Sequence, residues 1–333
     1  MKKITWLVIA MMAFAPMVAR ASEGLKLKSD LRLRYEYKDA DDKMNRGRAR
    51  FRLRIAGEHQ IDDNWTVGFR LASGSDPDPT STNQSMDDAF EKKSVWIDRA
   101  YAIYKAGDFK LTAGKIANPF NTTDIIWDSD INLEGVSEHF RLGENGYVTL
   151  GQMILAENSS AADAYLVAGQ AGVKFGMLDV SLGYYSFTNY VENSPYAGGN
   201  LFENGTEYTL MDLLVEIHAT DNLSFWAHYV TNSDAEVTDT TGDKEDTAMG
   251  IGLSYKYEDW SFGVKYADIE PNSVIGAFSD SDFGQANRKG YKISVKKKLR
   301  KNVSFAAAYF DTDQSTDSLK GFKTLQLDLS YKF

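Results

Sequence analysis

The chain has 333 residues with 47 acidic and 37 basic side chains, a formal charge of −10, no cysteine, and 18 Tyr, 18 Phe and 6 Trp. The acidic balance excludes nonspecific nucleic-acid binding, and the lack of cysteine excludes a disulfide framework and a thiolate metal site. Beyond residue 21 no apolar run approaches the eighteen or so residues that a spanning helix needs.

Residues 1–21, MKKITWLVIAMMAFAPMVARA, join Lys2 and Lys3 to an apolar run from Ile4 to Phe14 and an Ala19-Arg20-Ala21 ending. This is the pattern of a secretory signal peptide, so a single mature domain is expected over 22–333. Cleavage removes three basic side chains, leaving 34 against 47 acidic ones and a formal charge of −13.

The stretch 25–37, LKLKSDLRLRYEY, alternates strictly: Leu25, Leu27, Leu31, Leu33, Tyr35 and Tyr37 against Lys26, Lys28, Asp30, Arg32, Arg34 and Glu36. That period of two predicts a β-strand. In 46–55, RGRARFRLRI, arginine takes positions 46, 48, 50, 52 and 54, while Ala49, Phe51, Leu53 and Ile55 take the other face. A helix would scatter both sets. Similar segments begin at Trp65, Met211, Leu223, Met249, Trp260, Tyr291 and Val303. The final FKTLQLDLSYKF sets Leu325, Leu327, Leu329, Tyr331 and Phe333 against Thr324, Gln326, Asp328, Ser330 and Lys332.

Short turns (IDDN, KAGDF, GENG, FGML, ATDN, YEDW, RKN) alternate with long polar connections at 75–93, 188–208, 232–245 and 271–287. Division at these points gives about sixteen strands of roughly nine to thirteen residues, with short turns at one end and long loops at the other. The expected fold is all-β, a transmembrane antiparallel β-barrel. A soluble β-sandwich would alternate in the same way, but the strand number, the asymmetric connections and the aromatics at strand ends favour the barrel.

The barrel decides where the arginines point. Successive residues on one strand face lie about 7 Å apart. Facing lipid, each arginine would cost roughly 2 to 4 kcal/mol near the midplane; in a dry interior they would repel one another. A barrel of this width keeps an aqueous channel. Arg48, Arg50, Arg52 and Arg54 are therefore expected to face the lumen, with Arg46 at the rim. Arg32, Arg34, Lys26 and Lys28 of the first strand should join them in a basic pore wall.

Residues 117–136 form a connection unlike the others. Pro119, Phe120, Ile125, Ile126, Trp127 and Val136 give it apolar surface to pack, and Asp128, Asp130 and Glu134 cluster within seven residues. DSDIN has the one-three-five oxygen spacing of a calcium loop. However, Leu133 stands where glycine is needed and His139 where glutamate is needed, so an EF-hand is excluded. Loosely bound calcium is the remaining cofactor candidate.

Through DRAYAIYK, LTAGKIANPF, WDSDINLEGV, the exported amino end and the terminal LSYKF, the chain resembles the putative-porin family of Gram-negative bacteria, sixteen-stranded porins. The resemblance implies a third loop folded into the lumen as a constriction and a terminal Phe333 recognised by the barrel-assembly machinery. It also implies a homotrimer in the cell outer membrane, among lipid and lipopolysaccharide.

The expected function is passive diffusion of small hydrophilic solutes and ions. Asp128, Asp130 and Glu134 are expected to oppose the arginine wall and set a transverse field. The rival reading is a barrel enzyme, or an adhesin with a closed lumen. His59, His139, His218 and His228 show no triad or metal spacing, and no G-x-S-x-G, H-E-x-x-H or P-loop occurs. The basic wall argues for anions, and the acidic loop residues Asp234, Glu236 and Asp243 argue for cations at the mouth. Charge at the narrowest point decides, which tips the balance to anions.

Overall fold

A computed structural model describes residues 24–41, 44–75, 79–193, 197–201, 207–237, 241–316 and 320–333. The signal peptide expected at 1–21 lies outside them. Among the described residues there are seventeen strands, of which sixteen form a closed antiparallel barrel. Closure is made by β1 (Leu25–Ala40), which pairs with β2 (Arg46–Gln60) on one side and β17 (Gly321–Lys332) on the other. Between them run β3 (Trp65–Ser73), β5 (Val95–Ala106), β6 (Phe109–Ala117), β7 (Asn132–Leu142), β8 (Gly146–Ala156), β9 (Ala164–Phe175) and β10 (Leu178–Thr188). The sheet continues through β11 (Tyr208–His218), β12 (Leu223–Asn232), β13 (Thr247–Tyr257), β14 (Trp260–Ile269), β15 (Arg288–Arg300) and β16 (Val303–Asp313).

The two-residue β4 (Gln84–Ser85) is not a barrel stave. β3 is too short to cover β2 beyond Arg54, and β4 folds back to pair with Arg50 and Phe51 instead.

Alternation places polar residues inside. Leu33, Tyr35, Leu182, Tyr184, Met211, Ile251, Tyr266 and Ile293 are exposed on the outer face, whereas Arg34, Glu36, Ser181, Asp212, Lys265 and Gln326 are buried. An outer face of exposed apolar and aromatic side chains is what lipid requires and what a sandwich in water avoids. The strands do the spanning, since no described helix is long and apolar enough to cross a membrane. Tight turns close one end. Gly107 and Gly176 hold φ of +58° and +60°, a left-handed conformation that glycine adopts without penalty.

At the opposite rim three connections turn inward, through residues 79–85, 118–131 and 270–287. The apolar core of the molecule is the seam where the last two meet the inner wall, with Phe120, Ile125, Ile126, Trp127, Val274, Ile275 and Phe283 packed with Leu166, Tyr185, Phe187, Leu210 and Val230.

Candidate functional site

The loop 118–131 is anchored along one side of the lumen. Trp127 is buried and stacks on Phe278 at 5.3 Å with 16° between the rings, and Phe120 meets the edge of Tyr185 at 5.2 Å. The Asn121 amide donates to the Gln170 side-chain oxygen at 2.8 Å, and the Gln170 amide group donates to the Asn121 carbonyl at 2.7 Å. Thr123 Oγ1 lies 2.7 Å from His228 Nδ1, and His228 Nε2 lies 2.8 Å from an Asp212 oxygen. An Asp–His–hydroxyl chain has the members of a hydrolase triad, but with the ring nitrogens exchanged, since in a triad Nε2 faces the hydroxyl and Nδ1 the carboxylate. Here the His228 and Asp212 side chains are wholly buried, so the relay ties the loop to β11 and β12.

The loop 270–287 completes the constriction. Asp128 N donates to Phe278 O at 2.6 Å, and Asp280 N donates to Asp124 O at 3.1 Å, so the two loops share backbone hydrogen bonds. Lys265 Nζ reaches Asp124 at 2.9 Å and Asp280 at 3.8 Å, and Lys292 Nζ lies 3.9 Å from both. In the sequence 271–287 reads as a long polar connection. The signal was present, because it carries Val274, Ile275, Phe278 and Phe283 beside Asp280 and Asp282, the same mixture that marked 117–136.

Arg32, Arg34, Arg48, Arg50, Arg52 and Arg54 lie on the lumen face, and register sets Arg34 opposite Arg50 and Arg32 opposite Arg52. Carboxylates of the same wall make this tolerable. Glu36, with a fully buried side chain, accepts from Arg48 and lies 3.3 Å from Arg50. Asp30 holds Arg52 and Arg54, each at 2.8 Å. Asp328 binds Arg34 at 2.7 Å and lies 3.8 Å from Arg32, and Asp282 meets Arg34 at 3.2 Å. The ladder is thus a row of ion pairs. The one-signed wall expected from the sequence is corrected, because acids of β1 and β17 interleave with the arginines and Asp282 of the loop adds to them.

The acids predicted on the loop part company. Asp130 lies 3.6 Å from Arg54 and accepts from Thr82 Oγ1 at 2.9 Å. Asp128 makes no ion pair among the described residues; its carboxylate accepts the Asp130 amide at 2.8 Å. Glu134 lies on β7 and faces outward. Leu133 beside it is buried in the lumen seam, and strand alternation sends Glu134 the other way, onto Lys115 at 2.5 Å.

A cavity of about 270 Å³ lies between the arginines and the loops, lined by Arg32, Arg34, Arg52 and Lys292 on the wall and Asp124, Asp128, Asp130, Asp280 and Asp282 on the loops. Burial, with Asp280 close by, pushes the Asp128 carboxyl up to about 8. Burial also raises Asp280, to about 6. Burial would raise Asp124 likewise, but Lys265 and Lys292 outweigh it and hold that carboxyl below its ordinary range. The oxygens of a calcium loop are already engaged: Asn132 Oδ1 accepts from Arg99 at 2.6 Å, and Asp130 is held as above. Among the described residues, Asp87, Asp88 and Glu91 are close enough to share an ion, and all are exposed.

A closed sixteen-stranded barrel with apolar outer face, charged lumen and inward loops defines a transmembrane channel protein of the porin class. The family model described as putative porin matches residues 21–200 and 204–333, and the chain belongs to that family. No curated protein sequence matches it. Among solved structures, it is similar to a triple mutant of the Rhodopseudomonas blastica porin, with 11% identity, TM-score 0.57, and coverage of 93% of this chain and 100% of that one. A variant of the same porin with a lysine and an arginine replaced by alanine matches with the same four values. At such identity the likeness concerns the fold.

Proposed function

We propose that this porin admits small hydrophilic solutes and ions through the slot between the arginine ladder and the paired loops, and that it performs no catalysis. The observation that carries the reading is the inward seam. Apolar packing seats two loops against β8–β13 and leaves the polar gap beside β1, β2 and β15. Opposed charges across that gap orient dipolar solutes in transit. Export to the outer membrane, assembly through the Phe333 end and contact with lipopolysaccharide follow from family membership as expectations. The reading requires no cofactor, and calcium is expected to leave conductance unchanged.

The test is single-channel recording in a planar bilayer. Stable open steps are expected, growing when 121–130 is replaced by a short glycine-serine turn. Absence of steps would favour a closed barrel.

We also propose that copies associate through the outer face of β6–β8. There Lys115 and Glu134 form an outward ion pair, and Gln152 donates to Glu138 at 3.3 Å. Lys115 is six residues from Phe109, which pairs with Phe140 at 5.0 Å between ring centres near the short-turn rim. At ordinary strand tilt that puts Lys115 roughly 15 Å into an apolar band about 25 Å tall. Elsewhere the outward charges sit at strand ends: Asp268, Asp311 and Lys323 at one rim, Lys297 at the other. A second copy covering the patch, in a homotrimer, relieves the cost of holding it in lipid.

A further inference from the structure

The arginines that dominate the sequence are held in ion pairs with carboxylates of the lumen. At the short-turn mouth the balance is different. Two adjoining cavities of about 300 and 560 Å³ share Asn302 and Lys332. Lys26 and Lys28 of β1, Lys256 of β13, Lys296 and Lys298 of β15, and Lys332 of β17 line them. All six are exposed, and among the described residues none makes an ion pair. The acids lining the same cavities offset them only in part. Asp30 is committed to Arg52 and Arg54, whereas Glu58, opposite Lys26 and accepting from Tyr101 at 2.7 Å, keeps its charge. With Glu258 and Asp259, in the turn between β13 and β14, that sets three carboxylates against the six lysines and the adjoining Arg300 and Lys301.

Lumen residues must be polar to avoid lipid, but that requirement is met elsewhere by Ser, Thr, Gln and Gly, and does not select one sign. Neighbours such as Lys296 and Lys298 lie about 7 Å apart and repel by roughly 0.6 kcal/mol in water. This is a modest, repeated cost with no structural return. The field of this net positive cluster extends about 8 Å at physiological ionic strength, across cavities of this size, and raises the local concentration of anions.

We propose that this lysine ring, and not the arginine ladder, is the ion-selectivity element, drawing small anions such as carboxylates and phosphates into the pore from the short-turn side. The proposal rests on the channel reading above. The experiment keeps the two apart: current steps test the channel, and reversal potential tests the ring.

The full chain is placed in a planar bilayer under a potassium chloride gradient. The reversal potential is expected on the chloride side, with the preference collapsing when both salt concentrations are raised tenfold. The triple variant Lys296→Glu, Lys298→Glu, Lys332→Glu is expected to move the reversal potential through zero to the potassium side. Arg50→Gln should move it far less. The corresponding lysine-to-glutamine triple serves if the charge reversal fails to assemble, and should remove most of the chloride preference. Potassium preference in the unaltered channel, or a conducting triple variant with unchanged reversal potential, overturns the ring while leaving the channel standing. Absence of steps overturns both.

Discussion

Glu36 shows how single residues decide the lumen. It is the one carboxylate between Arg48 and Arg50, and it also accepts from Gln326 at 3.3 Å. Removing its charge leaves two close arginines with no counter-ion, so Glu36→Gln is expected to destabilise the barrel by about 3 kcal/mol. The measurement is the temperature at which the folded form is lost on a semi-native gel; an unshifted midpoint would mean that water screens the pair. Asp128 gives a pH dependence. Its folded value near 8 exceeds the unfolded 3.8, so the folded state holds the extra proton between about pH 4 and pH 8. The stability of the loop is therefore greatest below about pH 4 and falls as pH rises through about 8. Protonation also removes a negative charge facing Arg32, Arg34, Arg52 and Lys292, with Asp130, Asp280 and Asp282 beside it. Chloride preference should rise between pH 9 and pH 7 in the unaltered channel. Asp128→Asn should flatten that step.

At the scale of elements, the channel is defined by two loops that pack like a small core. Trp127 joins them through its stack on Phe278 and its contacts with Tyr185 and Phe187 at 6.4 and 6.1 Å. Trp127→Ala should cost about 3 to 5 kcal/mol of loop packing. Recordings should then show flickering between sub-levels in place of one steady open state; an unchanged single level would show that the Thr123–His228–Asp212 relay holds the loop alone. The strands were readable because period-two alternation leaves one solution when one face meets lipid, as in 25–37 and 321–332. The inward turn of 270–287 was not, because its packing partners, Gly198, Trp127 and Phe187, are remote in sequence.

For the whole molecule, the test of association is Lys115→Glu, which places three acids together with Glu138 and Glu134 on one outer patch. The oligomer is expected to dissociate to monomers in mild detergent while the barrel stays folded. Persistence of the oligomer would put the subunit contact on another face. The sequence by itself determined the class of fold, the sixteen strands and the inward direction of the arginines, while the third-loop constriction was implied only by the family resemblance. The first three follow from periodicity and from the cost of charge in lipid, which are local rules. Only the tertiary structure decided what neutralises those arginines, because Asp328 reaches Arg34 across a closure between strands nearly three hundred residues apart. It alone sent Glu134 outward, brought Asp124 against Asp280, and gathered six lysines from four strands at one mouth. Closing a sheet on itself brings together side chains with no sequence spacing in common, and the field within the pore is set by that meeting.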